Sequence, residues 1–149
     1  MKTKFVTAEY KDIEMLVGFT KEFYKHEHIE FDEKAVCAAL KKLLDNSSFG
    51  NIWLIHYEEQ LVGYCVLTLG YSLEFRGRDA FIDEIYVKDD FRGKGIGTKA
   101  INFMEQACKT LSVQALHLEV EKSNNSAHAL YKKAGFEEHN RYLMTKKIV

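Results

Sequence analysis

The sequence predicts an α/β fold built on one sheet of mixed strand direction, and three observations carry that expectation. Apolar residues recur with a helical period in some segments and gather into β-branched and aromatic runs in others, and the two kinds alternate along the chain. Two of the β-like runs are joined by three polar residues, the signature of a hairpin, so that pair is antiparallel. Later runs are separated by whole helical segments, which makes those strands parallel. Proline is absent, glycine is sparse and no stretch is biased enough to act as a linker, so residues 1–149 read as a single domain.

Taken in order, residues 3 to 9 form a short strand, and Asp12 is placed to cap a helix carrying Ile13, Leu16, Val17, Phe23 and Tyr24. A second helix starts at Asp32 or Glu33, with Val36, Ala39, Leu40, Leu43 and Leu44 on one face, and stops in the turn-prone DNSSFG. NIWLIHY, the polar turn EEQ and LVGYCVLTLGYS then make the hairpin, and AFIDEIYV, residues 80 to 87, makes the next strand. After the glycine-rich stretch FRGKGIGTKA, a stripe of Ile101, Met104, Ala107, Cys108 and Leu111 forms a helix leading into the strand ALHLEVE. A helix from about Asn125 to Ala134 is predicted to end in a left-handed cap at Gly135, with Phe136 as its hydrophobic contact. RYLMTKKI closes the chain as a last strand, for an order β-α-α-β-β-β-α-β-α-β.

Composition narrows the function classes. Hydrophobic residues at 46% and charged residues at 29% exclude a disordered or collagen-like chain. A net charge of -1 provides no global field to draw in nucleic acid or a membrane surface, so any anion site must be local. Cys37, Cys65 and Cys108 lie far apart in apolar runs without metal or redox spacing, and read as buried thiols of a cytoplasmic protein. No signal peptide or membrane span is apparent, and His26 and His28, two apart, read as surface residues rather than metal ligands.

The local anion site is the glycine loop. A loop between a strand and a helix leaves free backbone N–H groups at the helix N-terminus, where they point at a phosphate. Glycine lets the anion approach the main chain, Arg92 and Lys94 supply counter-charge, and Thr98 adds a hydroxyl, so a diphosphate is the natural guest. A Walker loop fails, because Lys94 is followed by Gly95 where Ser or Thr is required. A dinucleotide fingerprint fits Gly95, Gly97 and Ala100, with Glu119 at the end of the next strand, but KDDFR separates Val87 from the first glycine.

The stretch VKDDFRGKGIGTKA resembles the acetyl-coenzyme A loop of the GNAT superfamily of N-acetyltransferases, whose signature R/Q-x-x-G-x-G/A is filled here by Arg92, Gly95 and Gly97. Downstream, NNSAHALYKKAGF is similar to the family's N-x-x-A-x-x-L-Y-x-K-x-G-F segment, matched at Asn124, Ala127, Leu130, Tyr131, Lys133, Gly135 and Phe136. Asp89 departs from the pattern where many members carry proline. The resemblance covers nearly the whole chain and is motif-specific over residues 80 to 136. It implies a mostly antiparallel sheet flanked by helices, with two central parallel strands splayed at the cofactor site. It also implies acetyl-coenzyme A as cosubstrate without a metal, a small-molecule or peptide amine as acceptor, no nucleic acid or membrane partner, and frequent homodimers.

Acetyl transfer to an amine of pKa roughly 10.4 needs a base, and Asp83 and Glu84 are the candidates. Strand alternation sends them to opposite faces unless a bulge re-aims one, and Glu84 is favoured because Asp83 shares its nominal face with Phe81, Ile85 and Val87. By the resemblance, Tyr131 is the general acid for the departing thiolate. A main-chain N–H among Ile85, Tyr86 and Val87 polarises the thioester carbonyl. The backbone from Arg92 through Gly93, Lys94, Gly95, Ile96 and Gly97 to Thr98 holds the diphosphate. Asn124 hydrogen-bonds the pantetheine or simply caps the last helix. The acidic segment HEHIEFDE, residues 26 to 33, lies where the family builds its amine pocket and suits a cationic acceptor such as a polyamine or lysine-like amine. The rival of another class is a non-catalytic coenzyme A-binding or regulatory module.

Overall fold

The computed structural model describes residues 2–149. They fall into two compact units, one ending at Leu118 and the other formed by Glu119–Val149. The first contains β1 (Thr3–Thr7), α1 (Ile13–Glu27), α2 (Glu33–Asp45), β2 (Gly50–Tyr57), β3 (Gln60–Ser72), β4 (Gly77–Val87), α3 (Ile96–Thr110) and β5 (Val113–His117). The second contains α4 (Asn125–Lys133).

The five strands make one sheet in the order β1-β2-β3-β4-β5, antiparallel except for the parallel pair β4 and β5. The mixed-direction α/β fold is therefore present. Both faces are covered, as the dense apolar runs of β2 and β3 require. Leu16 and Phe19 of α1 and Leu40 of α2 pack with Ile52, Leu54, Tyr64, Val66 and Tyr86 on one face. Alternation turns Trp53 and Ile55 to the other face, where Phe103 of α3 stacks on Phe5 at 4.5 Å and meets Trp53 edge-on at 5.1 Å. Ile96, Ala100, Ile101, Met104 and Cys108 give α3 its buried stripe. Complete burial of an isoleucine or methionine chain is worth about 1.5–3 kcal/mol.

Two local devices matter downstream. The β2–β3 hairpin turns on Glu58 and Glu59, both with positive φ (50° and 69°), a two-residue turn of the mirror-image type that usually takes Asn and Gly. Val66 of β3 pairs with Glu84 of β4 while Leu67 pairs with Ile82, leaving Asp83 as the extra residue of a bulge in β4.

Several boundaries differ from the sequence reading. Asp12 does not cap α1; its carboxylate accepts from the Glu9 N–H at 2.8 Å and closes the short turn before the helix. Asp32 does cap α2, accepting from the Ala35 N–H at 3.2 Å. Strand β4 starts at Gly77 rather than 80, because the hairpin with β3 continues to the Ser72–Gly77 pair. Strand β5 covers Val113–His117 rather than ALHLEVE, since its ladder with β4 ends at the Phe81–His117 pair. RYLMTKKI forms no strand. Tyr142, Leu143, Met144 and Ile148 are 72% to 89% exposed, and an apolar run without a ladder partner does not make a strand.

The end of α4 follows the sequence expectation. The Phe136 N–H donates to the Tyr131 carbonyl and the Gly135 N–H to that of Lys132, both at 3.0 Å, with Gly135 at φ 99° and the Tyr131 and Phe136 rings in contact. That is the Schellman closure, in which a left-handed glycine satisfies the last carbonyls.

Candidate functional site

The glycine loop forms the first half of the site. Gly93 and Gly95 adopt φ of 77° and 78°, a conformation that side chains strain, and Gly95 is the N-cap of α3. The first intrahelical bond is Lys99 N–H to the Gly95 carbonyl, and among the described residues the amides of Gly93 to Thr98 meet no acceptor. A Cβ built on Gly93, Gly95 or Gly97 would meet nothing within 4 Å, so this run of donors borders open space. Unpaired N–H groups at a helix N-terminus and the positive end of its dipole favour an anion.

Arg92 stands beside that loop, not over it. Its Nε donates to the Val87 carbonyl at 3.0 Å, and one terminal nitrogen lies 3.0 Å from His26 Nε2 and 3.3 Å from Asp89 Oδ1. Lys94 and Thr98 are exposed. Asn124 caps α4, its side-chain Oδ1 accepting from the Ala127 N–H at 3.2 Å.

Strand β4 leads from the loop to the second half. Its ladder with β5 stops at Phe81, whereas its ladder with β3 continues to Val87. The Lys88 N–H to Val62 carbonyl bond fixes the phase of the β3 ladder, so the N–H groups of Ile85 and Val87 point away from β3, toward the side that β5 has left. Tyr86 points into the aromatic cluster of Phe19, Phe23 and Tyr64. At the fork, His117 Nε2 lies 3.1 Å from Asp79 Oδ2, with its ring against Phe75 and Phe81.

Asp83 and Glu84 do not take opposite faces, because the bulge that strand alternation left open as the exception is present at Asp83. Ile82, paired with Leu67, faces the α3 side, while Glu84, paired with Val66, faces α1 and α2, so the extra residue resets the alternation. Both carboxylates line one cavity of about 320 Å³, Asp83 exposed and Glu84 deeper. Ala35, Val36, Ala39 and Leu43 of α2 form an apolar wall opposite them, and Glu30 and Asp32 of the HEHIEFDE segment also line it, Asp32 while capping α2. The lining holds four carboxylates and no cation.

Glu84 is held at both oxygens. Tyr24 donates to Oε2 at 2.8 Å and Tyr64 to Oε1 at 2.7 Å. Burial pushes the Glu84 carboxyl above the usual carboxylate range; the two phenols pull it partway back, and the charge of Asp83 adds to the rise. Burial, then the Glu84 charge, raise both phenols well above their ordinary value, so neither ionises near neutrality. Tyr24 and Tyr64 were not singled out from sequence as site residues. Thr20 and Tyr24 sit one helical turn apart on the core face of α1, and a buried hydroxyl on a core stripe requires a partner. That is the signal by which Tyr24 could have been found.

The thiols do not contribute. Burial pushes Cys65 up to about 12 and Cys108 to about 11, so neither offers thiolate at neutral pH. Among the described residues no cluster of three potential ligands could hold a metal ion, and no helix is long and apolar enough to cross a membrane. Tyr131 lies in the second unit, half-buried in α4.

Comparison with known proteins matches residues 13–136 to the acetyltransferase (GNAT) family model. A thialysine N-ε-acetyltransferase from Bos taurus is 35% identical over 78 residues, 52% of this chain and 45% of that protein. The chain spans about half the length of the curated relatives it matches. An integron cassette protein from the mobile metagenome of Cole Harbour Salt Marsh superposes with a TM-score of 0.86 at 36% identity, covering 97% of this chain and 90% of its own. A predicted acetyltransferase from Clostridium acetobutylicum, solved with acetyl-CoA, shares the fold with a TM-score of 0.81 at 22% identity, covering 97% and 96%.

Proposed function

The chain belongs to the acetyltransferase (GNAT) family, and from that premise we propose that it transfers the acetyl group of acetyl-CoA directly to a primary amine. The observation that carries the proposal is a free-amide helix N-terminus joined, along one strand, to a half-buried carboxylate in an acidic cavity. The amides of Gly93 to Thr98 bind the diphosphate, with Arg92, drawn off His26 and Asp89, and Lys94 adding charge. The pantetheine arm follows the open side of β4, where the N–H groups of Ile85 and Val87 are turned to receive it. One of these polarises the thioester carbonyl and stabilises the oxyanion as the amine adds.

Glu84 accepts a proton from the acceptor ammonium, and the neutral nitrogen attacks the carbonyl carbon. The C–S bond then breaks as the C–N bond is completed; Tyr131 protonates the sulfur and takes back the proton that the nitrogen sheds. Asp83 and Asn124 assist at the cavity rim and the pantetheine. The products are an N-acetyl amide, coenzyme A and one proton carried off by Glu84. The family model runs through both compact units, which supports reading residues 1–149 as one acetyltransferase domain.

A lining with four acidic residues and an apolar wall selects a cationic amine on an alkyl stem, a polyamine or lysine-like acceptor. The thialysine enzyme among its relatives, named for transfer to an ε-nitrogen, supports an amine at the end of a chain. The test is thiol release from acetyl-CoA across a panel of primary amines. Release is expected with di- and polyamines, and Tyr131→Phe is expected to lower it at least tenfold while acetyl-CoA affinity is kept. Acetyl-CoA binding without release for any amine would refute transfer in favour of a non-catalytic module. Turnover confined to neutral or acidic acceptors would refute the choice of acceptor.

A further inference from the structure

We propose that Tyr24 is the group that touches the acceptor nitrogen and relays its proton to Glu84, so that the base acts through the phenol rather than directly. This deepens the reading above and rests on Glu84 being the base. Glu84 already accepts one phenol at each oxygen, Tyr24 at Oε2 and Tyr64 at Oε1. The two phenols are not equivalent. Tyr64 has zero exposure and does not line the cavity, whereas Tyr24 is half-buried and lines it beside Glu84. A phenol oxygen accepts while its hydrogen donates, so Tyr24 can take an N–H from an ammonium in the cavity as its own O–H points at the carboxylate.

The transfer balances without net change at the tyrosine. The ammonium N–H bond breaks and its proton bonds to the Tyr24 oxygen; the Tyr24 O–H bond breaks and that proton bonds to Glu84 Oε2. The ammonium becomes an amine, the carboxylate a carboxylic acid, and the phenol remains a phenol. The backbone holds Tyr24 in place for this. The Ile29 N–H donates to the Tyr24 carbonyl at 2.8 Å where α1 ends on a left-handed His28, and the Tyr24 ring is braced by Phe23 and Phe31. Besides Glu84 and Tyr64, the titratable groups around it are Asp83 on β4 and Glu30 and Asp32 before α2, all carboxylates that attract the same ammonium.

A purely structural Tyr24 would be a second anchor for Glu84, equivalent to Tyr64, and the experiment separates the two roles. Tyr24→Phe and Tyr64→Phe are assayed for amine-dependent thiol release as a function of pH, with melting temperatures measured in parallel. Each variant removes one hydrogen bond that lowers the Glu84 pKa, so an anchor variant loses activity that a higher pH restores. Tyr64→Phe is expected to behave in that way. Tyr24→Phe is expected to lose at least thirtyfold in kcat with an alkylamine at every pH at least two units below the amine's own pKa of roughly 10.4, to keep the KM for acetyl-CoA within twofold, and to recover with a weakly basic amine that is neutral at the assay pH. Recovery of Tyr24→Phe by pH alone while the alkylamine is still an ammonium, or wild-type kcat, would overturn the relay, and equal losses with the weakly basic amine would also count against it. Glu84→Gln distinguishes this failure from that of the parent reading. Full activity in Glu84→Gln removes the base itself, whereas an inactive Glu84→Gln beside an active Tyr24→Phe removes only the relay.

Discussion

Replacing Gly97 with alanine separates folding from cofactor binding. Gly97 is the second residue of α3, outside the left-handed region, and a Cβ there would meet nothing within 4 Å. Neither backbone conformation nor packing within the chain requires glycine. Alanine in a helix is favoured over glycine by roughly 0.5–1 kcal/mol, so the variant should be slightly more stable than the parent. For a chain of this size 1 kcal/mol corresponds to about 2–4 °C in Tm. The same methyl group enters the space through which a diphosphate would reach the amides of Ile96 to Thr98. Loss of one hydrogen bond to a charged group costs about 1.5–3 kcal/mol, a ten- to hundredfold weaker Kd for acetyl-CoA. Thermal melts without ligand and calorimetric titration with acetyl-CoA read the two effects separately. A raised Tm with unchanged affinity would refute the placement of the diphosphate, and a lowered Tm would refute the reading of Gly97 as free of internal constraint.

Other consequences follow from the same geometry. Glu84→Gln removes a carboxylate whose charged form burial penalises and keeps an acceptor oxygen for one phenol, while the other phenol turns to accept from the new amide N–H. It is expected to cut turnover by about 10²–10⁴ and, at neutral pH, to raise Tm rather than lower it. Because the Glu84 pKa is raised, the acid limb of kcat/KM should fall at a pH above the ordinary glutamate value of about 4.3. Tyr64→Phe, which deletes a bond that lowers that pKa, should move the limb further up. Glu58 and Glu59 occupy left-handed positions in the β2–β3 turn, and their ion pairs with Lys2 and Lys4 are exposed and weak. Glu59→Gly should therefore stabilise the fold by about 1 kcal/mol, read as a higher denaturation midpoint without loss of activity. Asn124→Ala removes the cap of α4 and should cost about 1 kcal/mol; a larger drop in acetyl-CoA affinity would add a ligand contact to its capping role.

The parts legible in sequence were those set by local chemistry. The glycines at 93, 95 and 135 announced backbone that other residues strain, and each is where the chain turns left-handed. Asp32 and Asn124, each three residues ahead of an amide they cap, marked helix starts. Long-range pairing was less visible. The bulge at Asp83 follows from which residue of β3 faces it, so alternation alone put two neighbouring carboxylates on opposite faces when they share a cavity. Tyr24 was read as one more apolar position because helical period reports which face is buried, not what a hydroxyl finds there. The strand reading of RYLMTKKI failed for a related reason: an apolar run states a capacity to pair, and among the described residues it has no ladder partner.

The claim on which the account depends is that the unpaired amides from Gly93 to Thr98 receive the diphosphate of acetyl-CoA. A crystal structure of the protein grown with acetyl-CoA tests it most directly. The account predicts diphosphate oxygens at hydrogen-bonding distance from those amides, about 2.7–3.2 Å, with the thioester running along the open side of β4 toward Glu84. A diphosphate bound elsewhere, with the glycine loop still facing solvent, would contradict it.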